Sequence, residues 1–118
     1  MSLRVWAYAG CATCRQAQRF LAERKIAHEL LAIREHPPGT AELRAMLAHT
    51  GGELRRLFNT SGQDYRALNL KDRLPQMSVD EALALLTTNG NLMKRPFALA
   101  QNRGTTGFKP EEWARLFC

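Results

Sequence analysis

Apolar positions change period along the chain, and each change marks a change of element. Leu3 to Tyr8 is a short, mostly apolar run rich in valine and aromatic residues that ends at Ala9-Gly10, the pattern of a buried strand. From Cys11 to about Lys25 the spacing becomes helical: Cys14, Ala17, Phe20 and Leu21 recur on one face while Arg15, Arg19, Glu23 and Arg24 can face water. His28 to Ile33 supplies a second strand. Strand, helix and strand in so short a stretch predict a βαβ unit with parallel strands.

At His36-Pro37-Pro38-Gly39 two prolines and a glycine end that pattern, and Thr40 is expected to cap a new helix. The middle of the chain reads as helical. Leu43, Met46 and Leu47 mark one helix, Leu54, Leu57 and Phe58 a shorter one, and Tyr65, Leu68 and Leu70 a turn-rich element. Ser78 with Glu81 three residues on forms a capping box ahead of Val79, Ala82, Leu83 and Leu86, and Asn89-Gly90 ends that helix. Strand character returns after Pro96, with Phe97 to Ala100 and Thr105 to Phe108 joined by a turn containing Asn102, Arg103 and Gly104, an antiparallel hairpin. Pro110 followed by Glu111 and Glu112 opens a last helix that buries Trp113, Leu116 and Phe117. The order is thus β-α-β, a helical segment, then β-β-α, an α/β chain.

Composition adds bounds. With 118 residues, 45% hydrophobic and 24% charged, the chain is sized for one globular domain with a core that needs no disulfide staples. No stretch approaches the roughly 20 apolar residues that span a bilayer, and the N-terminal run lacks the apolar region and cleavage site of a secretory signal, so the expected location is cytoplasmic, away from membranes. The formal net charge of +6 suits an anionic small ligand. The basic residues are scattered, with no run longer than two and no aromatic-interleaved motif, so direct nucleic-acid binding is not expected.

Chemistry concentrates at Cys11-Ala12-Thr13-Cys14, on the junction between the first strand and first helix. A cysteine at a helix N-terminus meets unpaired backbone N–H groups and the positive end of the helix dipole, which lower a thiol pKa from about 8.5 into a range of roughly 3.5 to 7.5. Arg15 adds positive charge. One turn on, Cys14 is placed to resolve a mixed disulfide formed at Cys11. The spacing is also half of a structural zinc site, but Cys118 and His28, His36 and His49 provide no matching half, so no metal is expected. Two small residues filling a helix start is the plain structural alternative.

Further residues resemble the thioredoxin-fold family that contains the glutaredoxin-coupled ArsC-type arsenate reductases and the Spx regulators. The resemblance is carried by Tyr8-Ala9-Gly10-Cys11-Ala12-Thr13-Cys14-Arg15, by Leu57-Phe58-Asn59-Thr60-Ser61-Gly62 with Tyr65-Arg66 and Leu68-Asn69-Leu70, by Lys94-Arg95-Pro96-Phe97, and by Gly107-Phe108. It implies a single domain with a thioredoxin/glutaredoxin-like fold, residues 1–35 and 92–118 forming the core and 36–91 an inserted helical subdomain. It also implies a cis Pro96 beside Cys11, and Arg95 as the family arginine next to the reactive thiol. The reductases hold their oxyanion with three arginines. The other two fall on Asn59 and Thr105 here, so Arg56 and Arg103 are the neighbours expected to compensate.

The expected activity is that of a thiol-disulfide oxidoreductase resembling arsenate reductase. Cys11 would be the nucleophile, with Cys14 and Arg95 assisting. Arg15, Arg56, Asn59, Pro96 and Arg103 would bind a small oxyanion or disulfide substrate. Glutathione, directly or through a glutaredoxin, is the expected co-substrate, with no bound cofactor. The Cys-x-x-Cys pair also resembles the switch of Spx, which implies a redox-sensing regulator that binds RNA polymerase as the competing role.

Overall fold

A computed structural model describes residues 2–118. Strand β1 (Arg4–Ala7), helix α1 (Ala12–Glu23) and strand β2 (Glu29–Ala32) form the first unit, with β1 and β2 paired in parallel from Arg4↔Glu29 to Ala7↔Ala32. Helices α2 (Thr40–His49), α3 (Gln63–Ala67), α4 (Leu70–Arg73) and α5 (Val79–Thr88) follow, with 3₁₀ turns at Leu54–Leu57, Leu74–Gln76 and Gly90–Leu92. Strands β3 (Phe97–Leu99) and β4 (Gly104–Thr106) and helix α6 (Pro110–Phe117) close the chain. The sheet order is β2-β1-β3-β4, with β3 antiparallel to both neighbours. This is the thioredoxin-like α/β arrangement that the sequence leads one to expect.

The period of two in the central strands sends alternate side chains to two different cores. Val5 and Ala98, opposite each other on β1 and β3, face a cluster built with Ala17, Phe20 and Leu21 of α1 and Trp113 and Phe117 of α6. Trp6 and Phe97, the next pair along, meet edge to face at 5.3 Å and join the second cluster, with Leu43 and Met46 of α2 and Leu83 and Leu86 of α5. The helical segment therefore packs its apolar side chains on the sheet face away from α1 and α6. Among the described residues no helix is long and apolar enough to cross a membrane.

The capping box at Ser78 forms as read: the Ser78 hydroxyl accepts from the Glu81 N–H at 3.1 Å and the Glu81 carboxylate accepts from the Ser78 N–H at 2.9 Å. Thr40 is not the cap of α2. Gly39 occupies that place and Thr40 is the first helical residue; the Glu42 carboxylate reaches back to accept from the Gly39 N–H at 2.8 Å, the half of a capping box that needs no side chain on the cap residue. Helix α1 stops short of Lys25, whose φ of 54° is left-handed. The Ile26 N–H bonds to the Leu21 carbonyl and the Lys25 N–H to that of Ala22, the Schellman pattern.

Candidate active site

The loop between β1 and α1 is a tight turn closed by the Cys11 N–H donating to the Tyr8 carbonyl at 3.1 Å. Cys11 is extended, with φ −95° and ψ 117°, and serves as the N-cap of α1: its Sγ accepts from the Cys14 N–H at 3.3 Å. The sulfur thus takes the place usually held by a serine or aspartate oxygen, at the positive end of the helix. Arg15 is turned to the loop, its Nη1 donating to the Ala9 carbonyl at 2.9 Å. Gly10 lets the loop cross the Tyr8 ring; a Cβ there would lie 2.7 Å from Tyr8 Cζ. Over the same ring sit two guanidinium groups, Arg34 at 3.7 Å and Arg95 at 5.3 Å from the centroid.

The two thiols differ in environment. Cys11 is half-buried and Cys14 fully buried. Burial pushes the Cys14 thiol up from 9.0 to about 12, and its hydrogen bond with Cys11 adds to the shift; a backbone hydrogen bond from Tyr8 and the charge of Arg95 act the other way. Cys14 is therefore a buried, neutral thiol at physiological pH, and of the two Cys11 is the sulfur presented to solvent.

That sulfur opens onto a cleft of about 1530 Å³. Of the residues singled out in the sequence, Cys11, Arg56, Asn59 and Arg95 line it. The Arg95-Pro96 bond is cis, as the resemblance implied; Pro96 is buried and not part of the lining. Arg56 donates from Nη2 to Thr105 Oγ1 at 3.4 Å, Thr105 donates to Glu112 Oε1 at 2.7 Å, and the Thr106 hydroxyl donates to the Arg56 carbonyl at 2.6 Å.

Arg103 and Arg15 depart from expectation. Arg103 lies at the start of β4 while the cleft adjoins its end, and its Nη1 donates to the Leu116 carbonyl at 3.0 Å. Arg15 braces the loop from outside the cleft. Conversely, Lys71, Lys94, Lys109 and Glu112 line the cleft, and Arg34 stacks beside it, without having been singled out as site residues. Among the described residues no group of three or more His, Cys, Asp or Glu side chains is arranged to hold a metal ion.

The sequence profile of the ArsC family matches residues 6–116. The chain belongs to the ArsC family. This ArsC family protein is 42% identical over 113 residues to YusI of Bacillus subtilis, an uncharacterised protein, covering 96% of each chain. A crystal structure from Bacteroides fragilis, described as related to the ArsC family, superposes with a TM-score of 0.91 at 38% identity, covering 98% of this chain and 97% of that one. Two more distant relatives bear different functional names. The global transcriptional regulator Spx of Enterococcus faecalis is 26% identical, covering 97% of this chain and 85% of its own. The arsenate reductase of Rhizobium meliloti is 29% identical, covering 95% and 78% respectively.

Proposed function

We propose that this ArsC family protein is a dithiol oxidoreductase in which Cys11 attacks and Cys14 resolves. The observation that carries this reading is the arrangement of the pair: an accessible sulfur capping α1 at the mouth of a cleft, accepting from the Cys14 N–H, with the Cys14 thiol one turn on, buried and held protonated. The Cys11 thiolate attacks one sulfur of a disulfide, forming a mixed disulfide and releasing the other sulfur as a thiolate. Cys14 then gives up its proton and attacks the Cys11 sulfur, expelling the second thiolate and leaving a Cys11–Cys14 disulfide. Two electrons have passed from the dithiol to the substrate. Two molecules of glutathione, directly or through a glutaredoxin, would return the dithiol and leave as glutathione disulfide.

The test is mass spectrometry of alkylated protein equilibrated across a glutathione redox series. An internal Cys11–Cys14 disulfide with a midpoint of roughly −200 to −300 mV supports the reading. Glutathione held on Cys11 with no internal bond would replace it by a monothiol cycle like that expected of an arsenate reductase, and two inert thiols would overturn both.

A second reading is favoured by the Spx relative, which matches over nearly the whole chain. The same dithiol would then act as a switch, its oxidation changing affinity for a protein partner such as RNA polymerase. Retention of polymerase by the oxidised protein and not the reduced one, without turnover of any disulfide, would select it.

A further inference from the structure

We infer that the cleft in front of Cys11 takes an acidic polypeptide segment carrying its own disulfide, in preference to a bare tetrahedral oxyanion; this rests on the dithiol reading above. Size is the first observation. At about 1530 Å³ the cleft exceeds the roughly 300–1000 Å³ of ordinary small-molecule sites, and an inorganic oxyanion would leave nearly all of it to water.

Charge is the second. Six cationic side chains line it, Arg55, Arg56, Lys71, Lys94, Arg95 and Lys109, against two carboxylates. Arg55, Lys71, Lys94 and Lys109 are exposed and none of the four forms an ion pair among the described residues. They are spread over the rim from the 3₁₀ turn after α2 to the start of α6, where a tetrahedral anion would need donors converging on one point. Apolar side chains of Leu54, Met77 and Phe108 interleave with them, a lining suited to peptide side chains.

The third observation concerns Arg56, the cleft arginine expected to hold an oxyanion together with Arg95. Arg56 is turned to Thr105, whose hydroxyl is shared with Glu112, so a carboxylate stands beside it in the wall. That carboxylate repels an added oxyanion. Arg95 lines the cleft together with Cys11 and forms no ion pair among the described residues, so its guanidinium is the cation at hand for a substrate carboxylate next to the reacting disulfide. In the reaction the substrate leaves as two thiols, one proton coming from Cys14 and one from solvent, as the Cys11–Cys14 disulfide forms.

The test uses full-length protein turning over with glutathione as reductant on two cyclic disulfide peptides of equal length, one acidic and one neutral, on neutral 2-hydroxyethyl disulfide, and on arsenate. The acidic peptide is expected to exceed the neutral one in kcat/KM by about tenfold at low salt, a preference that collapses as salt rises from about 0.05 to about 0.5 M. The acidic-to-neutral ratio is expected to fall about threefold in Lys71→Glu and to hold in Arg19→Glu, a change of equal charge on the exposed face of α1. Equal rates for the two peptides, with 2-hydroxyethyl disulfide still reduced, overturn the inference and leave the dithiol reading standing. Faster turnover of arsenate than of the acidic peptide also overturns it. Failure with every disulfide overturns both.

Discussion

The Cys11 sulfur has two duties that single substitutions can separate. It caps α1 and, in the proposed dithiol cycle, it is the nucleophile at the cleft. Cys11→Ser keeps a side-chain acceptor for the Cys14 N–H, so the expected variant unfolds within a few tenths of a kcal/mol of wild type and has lost all thiol chemistry at the cleft. Cys11→Ala removes the cap as well and should cost about 1 kcal/mol in urea unfolding. Equal stability of the two variants would mean the sulfur does not cap. Cys14 makes a pH prediction. Its folded pKa, near 12, lies above its ordinary value of 9.0, so the folded chain keeps a proton that the unfolded chain releases. Stability from this group is whole below pH 9.0 and declines as pH rises toward 12, by up to about 1.4 kcal/mol per pH unit. Other groups titrate in the same window. The quantity to measure is therefore the unfolding free energy of wild type minus that of Cys14→Ala, which should shrink as pH is raised above 9.0; a difference independent of pH would show that Cys14 ionises alike in both states.

At the scale of elements, what could be read in advance was what depends on near neighbours in the chain. The Ser78 box, the Pro110 start of α6 and the apolar face of α1 all rest on contacts within one or two turns, and all are where the sequence put them. The exceptions are also informative. Gly39 took the cap from Thr40 with the Glu42 carboxylate accepting from its N–H, and no periodicity records which of two adjacent residues will win. Lys25 ends α1 in a left-handed conformation that the sequence would have assigned to a glycine or asparagine. A lysine pays about 1–2 kcal/mol of steric cost there, and glycine gives back part of that gain through its greater freedom when unfolded. Lys25→Gly should therefore raise stability by about 0.5–1 kcal/mol, seen as a higher urea midpoint at unchanged slope. An unchanged or lower midpoint would mean that the lysine side chain itself stabilises the helix end.

At the scale of the molecule, legibility fades because the relations are long-range. Cys11 and Cys14 could be named from a short motif and Arg95 through the family resemblance, whereas the stacking of Arg34 on Tyr8 and the arrival of Lys71 at the cleft depend on how distant segments meet, and each looks in sequence like any solvated charge. The same long-range design bears on cooperativity. Two cores lie on opposite faces of one thin sheet, and β1 and β3 feed both, through Val5 and Ala98 on one side and Trp6 and Phe97 on the other. Neither helical layer can leave without exposing a row of apolar side chains on strands that are only three or four residues long and too short to persist alone. The chain should thus unfold in one step. Its two tryptophans report the two cores separately, since Trp6 lies in one and Trp113 in the other, both almost fully buried. Each indole also donates to a backbone carbonyl at 3.0 Å, Trp6 to His36 and Trp113 to Gly107, so a phenylalanine in either place will destabilise by about 1–3 kcal/mol and midpoints are not comparable between variants. The comparison belongs within each variant. In Trp113→Phe the remaining Trp6 fluorescence, and in Trp6→Phe that of Trp113, should follow the same denaturation curve as far-UV circular dichroism. Loss of the Trp113 signal at lower denaturant than the helical signal would show that α6 and its core detach first, and that the sheet is stable with one face bare.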